Sequence, residues 1–175
     1  MFVRAKKIKN ALYAYKVENH WTPTGARQKV TGYLGRIVVL EQERDISFAD
    51  FLKKPLDAYL AASSPRVIIK DLASWVLFCH GFEKDGKAWK KADVLVELGG
   101  LRFTCKGRQV VLKIGSDFMC RLTLGALSRF RSEKDQAEVA RELATAFVAA
   151  GIAVPEEVFI DVFQKVHKGG QSYVY

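Results

Sequence analysis

Acidic side chains are almost missing from the first forty residues of this 175-residue chain: Glu18 stands alone against Arg4, Lys6, Lys7, Lys9, Lys16, Arg27, Lys29 and Arg36. Cysteine is scarce as well, with three residues and no Cys-x-x-Cys spacing. That count argues against a disulfide framework and fits a reducing compartment. No stretch approaches the roughly 18 to 20 apolar residues that a spanning helix needs. Residues 1–7 carry charges with no apolar run behind them, so no secretory signal is expected. Low-complexity tracts and internal repeats are also lacking. What is present is ordinary for a folded chain: 49% hydrophobic and 27% charged residues, a balance that excludes intrinsic disorder. The expectation is a soluble, cytoplasmic, basic protein of one domain or two small ones, with no membrane partner.

The net charge of +9 is unevenly placed, because residues 41–175 hold 20 basic and 18 acidic residues, nearly in balance. A basic excess confined to one segment creates a local positive field that attracts polyanions and speeds their encounter at low salt. A solvated basic face needs no aromatic partners, yet Tyr13, Tyr15, Trp21 and Tyr33 lie in the same segment. That combination fits a binding face.

The segment reads as strands. Residues 2–9 and 12–18 are short runs with β-branched and aromatic residues, separated by a turn near Lys9-Asn10-Ala11. A two-residue turn places Phe2, Arg4, Lys6 and Ile8 on one face with Ala11, Tyr13, Tyr15 and Val17. A three-residue turn swaps that partnership, because side chains alternate with period two. Residues 19–26 are expected to form a loop broken at Thr22-Pro23-Thr24-Gly25, with Trp21 inside it. Residues 27–34 form a third strand in which Arg27, Lys29, Thr31 and Tyr33 alternate with Gln28, Val30, Gly32 and Leu34. Residues 36–40 continue as a fourth strand or an extension.

Beyond Glu41 the composition changes. Ser47 is placed to cap a short helix through Leu52, and residues 56–62 add a turn or two before a Ser63-Ser64-Pro65 connector. Ile68, Leu72, Trp75, Val76 and Cys79 recur at helical spacing, ended by Gly81. Residues 94–98, 101–105 and 109–114 read as strands, the first being alternatively the end of a helix starting near Trp89. Residues 116–130 carry both a strand and a helix period; their length and Ser116 as a cap favour helix. Ser132 is expected to cap a helix with Ala140, Leu143, Ala144 and Phe147 on its apolar stripe, stopped by Gly151. Pro155 opens another that buries Val158, Phe159, Val162, Phe163 and Val166. The expected fold class is α+β: a small basic N-terminal antiparallel β-sheet (1–54), then an α+β domain (66–168) with a β-meander and C-terminal helices, and a mobile tail (169–175).

Catalytic constellations are wanting. Gly99-Gly100 lacks the Lys-Ser/Thr pair of a phosphate loop, and neither a Gly-x-Ser-x-Gly elbow nor a His-Glu-x-x-His helix occurs. Cys79, Cys105 and Cys120 with His20, His80 and His167 match no zinc module in their spacing. Asp71, Glu83, Asp85, Asp93 and Asp117, the acids that a metal-dependent nuclease would have to bring together, are spread over different elements. No metal and no cofactor are expected.

Three stretches carry a resemblance: Met1-Phe2-Val3-Arg4-x-Lys6-Lys7-x-Lys9, Tyr13-x-Tyr15-x-Val17-Glu18, and Arg27-Gln28-Lys29-Val30-x-x-Tyr33-Leu34-Gly35. Together they resemble the amino-terminal segment of insertion-sequence transposases, and they are similar to the start of small uncharacterised archaeal proteins. The resemblance covers about residues 1–40, and no transposase catalytic pattern follows Glu41. It implies DNA or RNA contact by Arg4, Lys6, Lys7, Arg27, Gln28 and Lys29, without strand transfer.

The combined expectation is a non-enzymatic nucleic-acid-binding protein with little sequence specificity. Its contact residues would be Arg4, Lys6, Lys7, Lys9, Tyr13, Tyr15, Lys16, Trp21, Arg27, Gln28, Lys29, Tyr33 and Arg36. Cations neutralise phosphates and release counterions, while aromatic faces stack on unpaired bases at roughly 1–3 kcal/mol each. The alternative partner is an acidic protein, such as a ribosomal or polymerase subunit, docked on the same sheet. A metal-dependent nuclease is the third reading.

Overall fold

Two amphipathic runs at the start of the chain form β1 (Phe2–Ile8) and β2 (Ala11–Thr22), an antiparallel hairpin turning at Lys9-Asn10. Lys9 takes φ 53°, the left-handed backbone that a tight hairpin turn demands. The turn is thus the two-residue form, and Arg4 pairs with Tyr15 and Lys6 with Tyr13. The computed structural model describes residues 1–23, 25–132 and 134–170, the last three of these by backbone alone. Residues 171–175 of the expected mobile tail lie outside the described residues, while Gly169 and Gly170 belong to the last helix.

The third strand, β3, runs continuously through Gly25–Leu40. Trp21, expected in a loop, is therefore a strand residue opposite Ala26. The described side chains of residues 18–30 belong to neither core, and the strands continue there along an unbroken backbone ladder. The expected alternation along 27–33 is also corrected. Register slips at Ala14/Tyr15 and Lys16/Val17 leave Leu34 and Thr31 without partners, so Tyr33 pairs with Tyr15 but Lys29 pairs with Glu18. Each extra residue reverses the parity of the strand, and Lys29 and Tyr33 end on opposite faces.

The second half of β3 does what the sequence pattern did not indicate. It pairs in parallel with β8 (Arg108–Ile114), Arg36 beside Val110 and Leu40 beside Ile114. Between them in the chain lies an antiparallel meander of β4 (Glu83–Asp85), β5 (Ala88–Lys91), β6 (Val94–Glu97) and β7 (Arg102–Cys105), which leads into β8. The hydrogen-bonded path is β1-β2-β3-β8-β7-β6-β5-β4, and β9 (Asp117–Met119) also pairs with β8. The fold is α+β. Trp89 lies on β5, not at the start of a helix. The Asp85-Gly86 pair before it was the available hairpin signal.

Six helices complete the described chain: α1 (Phe48–Leu52), α2 (Leu56–Ala62), α3 (Pro65–Cys79), α4 (Arg121–Ser128), α5 (Gln136–Ala149) and α6 (Glu156–Gly170). None is long and apolar enough to cross a membrane. Ser47 caps α1 by accepting from the Asp50 amide, as its position before Phe48 predicts. Two caps differ from expectation. Ser116 precedes β9, so both periods read in 116–130 are real but belong to successive elements, and α4 is capped at Cys120. The cap of α5 is Asp135, whose carboxylate accepts from the Ala137 and Glu138 amides, while Ser132 donates to Glu142 at 3.2 Å. Asp135→Ala should cost about 1 kcal/mol in chemical denaturation, and Ser132→Ala distinctly less.

The centre of β8, Val110-Val111-Leu112, is buried on both sides, as its apolar run requires. Val110 and Leu112 enter the main core with Ile68, Leu72 and Leu77 of α3, Leu124 and Leu127 of α4, Phe147 of α5 and Val158 and Val162 of α6. Val111 points the other way, into a smaller core with Ala14, Ile37 and Cys120, against which Val3, Leu12, Leu34, Phe118 and Leu122 pack. This second core seats one face of the N-terminal strands.

Candidate nucleic-acid interface

Strand register divides the side chains of β1, β2 and β3 into two sets. On one face, Arg4 and Lys6 of β1 stand beside Tyr15 and Tyr13 of β2, which stand beside Tyr33 and Arg36 of β3. The three tyrosines form a contiguous group: ring centroids are 5.6 Å apart for Tyr15–Tyr33 and 6.3 Å for Tyr13–Tyr33, both tilted. Tyr33 remains 59% exposed. Burial pushes its hydroxyl above the ordinary range, with the Tyr13 and Tyr15 hydroxyls adding to the effect. It is therefore neutral near pH 7, able to stack or to share a hydrogen bond. Arg4 Nη1 donates to Gln28 Oε1 at 2.6 Å. Beside the tyrosines lies a hollow of about 320 Å³ lined by Arg4, Ala5, Lys6, Tyr15, Val17 and Val30. Val17, only 1% exposed, is its floor. Val17 and Val30 were missed as lining residues; the parity of Val17 with Tyr15 was the signal for the first, while Val30 joins only because of the bulges.

The other face differs in kind. Its inner part, Val3, Leu12 and Ala14, is committed to the smaller core. Its outer part carries Lys7, Lys16, Glu18, His20, Arg27 and Lys29. Lys16 Nζ sits 2.9 Å from Glu18 Oε1, and His20 Nε2 approaches the same carboxylate at 3.9 Å. The Lys16 hydrogen bond holds the Glu18 carboxyl below the usual carboxylate range. Lys16, expected as a contact residue, is thus already engaged. Lys9 occupies the hairpin turn.

The eight cations consequently do not share one surface. Arg4, Lys6 and Arg36 join the tyrosines, whereas Lys7, Lys16, Arg27 and Lys29 point away from them. Among the described residues, Arg4, Lys6, Lys7, Lys9, Lys29 and Arg36 form no ion pair. Three acids from later in the chain pair outside this segment: Glu43 with Lys91 at 2.6 Å, Asp93 with Lys106 at 3.1 Å, Glu142 with Lys134 at 2.7 Å.

Past Val17 the β2–β3 hairpin leaves the body of the protein. Residues 19–21 and 25–30 are exposed, and Trp21 is 85% exposed on the same face as Gln28 and the tyrosines. Thr22 Oγ1 donates to the Gly25 carbonyl at 2.7 Å and closes the tip.

The nuclease reading asked for converging carboxylates. Asp71 accepts from the Tyr59 hydroxyl at 2.7 Å, Asp117 from Ser116 at 2.9 Å, and Glu83 lies 3.8 Å from Arg44. Among the described residues, no three His, Cys, Asp or Glu side chains come together as a ligand set. Comparison of the chain with protein-family models, with curated proteins and with solved structures finds no match.

Proposed function

We propose that the protein binds nucleic acid, DNA or RNA, without catalysing a reaction on it, through the tyrosine face of β1–β3 and the exposed hairpin tip. The observation that carries this reading is the group Tyr13, Tyr15 and Tyr33 on an exposed sheet face, flanked by Arg4, Lys6 and Arg36 with no carboxylate paired to them. Arginine and lysine neutralise phosphate, and the aromatic rings take unpaired bases in a sequence-tolerant way. Gln28, held by Arg4, supplies a hydrogen-bonding amide on the same face. The resemblance of residues 1–40 to transposase amino-terminal segments supports the same ligand class.

Trp21 reports on this directly. It is almost fully exposed, whereas Trp89 is buried and Trp75 donates its indole N–H to the Ile46 carbonyl at 3.0 Å. Single-stranded oligonucleotides titrated at low salt should quench the Trp21 emission with micromolar or tighter affinity. A salt series should give a steep negative slope of log affinity against log salt. Trp21→Phe should remove the signal and keep most of the binding measured by anisotropy. No binding at low salt by either readout rejects the proposal in favour of a protein partner.

A further inference from the structure

A second concentration of positive charge lies outside the N-terminal sheet. Arg66 and Lys70, four residues apart on α3, share one face of its first turns. Arg129, at the end of α4, faces them across a hollow of about 310 Å³ whose lining includes Leu98, Leu101 and Leu124. No carboxylate lines the hollow, and among the described residues none of these three cations forms an ion pair. The arrangement runs against the ordinary preference of a helix. The N-terminal end of α3 carries the positive pole of its dipole, where acids are favoured. Yet its first turn has no acid, and its cap, Ser64, makes no side-chain hydrogen bond to it.

The position of Arg129 is also prepared. A Cβ on Gly125 would lie 3.1 Å from Arg129 Nη2 and 3.3 Å from Leu101 Cδ1. The missing side chain leaves room for the guanidinium to lie back along α4 toward Leu101. Like charges around a common apolar floor repel one another, and a bound anion relieves that repulsion. The guanidinium fork matches the oxygens of phosphate, and a dianion balances several cations better than a carboxylate does. The leucines in turn suit an aliphatic substituent. The volume is at the small end of the roughly 300 to 1,000 Å³ range of small-ligand sites.

We propose that the hollow between α3, α4 and the β6–β7 turn binds a phosphomonoester whose organic part is apolar. This rests on residues separate from the tyrosine face and is independent of the nucleic-acid reading.

The test is calorimetry of the full chain with n-butyl phosphate, inorganic phosphate and n-pentanoate. Butyl phosphate should bind about tenfold tighter than inorganic phosphate, the effect of burying roughly two methylenes, and tighter than pentanoate. Arg129→Gln and Lys70→Gln, both exposed positions, should each weaken it by about tenfold or more, with unchanged circular dichroism. Sedimentation with phosphatidic acid vesicles that is lost in Arg129→Gln places the ester on a lipid; butyl phosphate binding without sedimentation places it on a soluble compound. Equal affinity for inorganic and butyl phosphate, or unaltered affinity in both variants, would overturn the proposal.

Discussion

Gly35→Ala should destabilise the protein by about 3 to 5 kcal/mol, the largest single-residue effect outside the main core. Gly35 has φ 129°, a region that L side chains rarely enter. An added Cβ would fall 2.5 Å from the Gln109 carbonyl oxygen and 2.9 Å from its carbon. Both obstacles are backbone, so no rotamer change relieves them. The next residue, Arg36, already pairs with Val110, and the chain has no slack in which to move. Displacing β3 from β8 would also part Ile37 from Val111 and open the smaller core. Gly32→Ala is the matched control. Its Cβ would meet only the Lys16 Cβ at 3.8 Å, an ordinary contact, and the exchange should fall within about 1 kcal/mol of neutral. Urea denaturation of the two variants checks the difference, and hydrogen exchange should show lost protection over 36–40 in the first alone. Equal stabilities would mean that the β3–β8 junction does not hold the sheet as described.

Replacing Arg4, Lys6 and Arg36 together by glutamine should weaken oligonucleotide binding by about two orders of magnitude at low salt. It should also reduce the slope of log affinity against log salt by about 2, since each phosphate contact on a single strand contributes roughly 0.7. All three positions are exposed, so the melting transition should hardly move. The informative comparison is Lys7→Gln, Arg27→Gln and Lys29→Gln, which removes the same charge from the opposite face. If the tyrosine face makes the contacts, the first triple loses far more affinity than the second. Equal losses would assign the binding to net charge and reject the interface. The reverse order would move the contacts to the outer side of the hairpin. Tyr15→Ala with Tyr33→Ala should add a loss that salt does not alter, because stacking is not an ionic contact.

Much of this architecture is written locally. Lys9-Asn10-Ala11 marks the first turn, while its two-residue length, and with it the pairing of Arg4 and Lys6 with Tyr15 and Tyr13, is open in the sequence and decided by the strand register. Ser47, Gly81 and Pro155 mark helix ends because each acts through its own backbone or that of its close neighbours, whereas Pro65, expected as part of a connector, opens α3. The expected cap of α5 is misplaced by three residues: Ser132 is expected there, and Asp135 takes the position because its carboxylate reaches two amides. The strand ends within residues 19–26 read as a loop because they bury little, so no hydrophobic alternation announces them.

What the amino-acid sequence determined alone is therefore the amphipathic strands and helices, and the concentration of basic and aromatic residues ahead of Glu41. The tertiary structure decided the rest: which cations share a face with the tyrosines, the parallel junction of β3 with β8, and the meeting of Arg66, Lys70 and Arg129 around one hollow. The division has a physical cause. Periodicity and capping are set by residues within a turn or two of each other. Bulge placement, strand partnership and pocket assembly depend instead on contacts between residues tens of positions apart, whose fit no local pattern encodes.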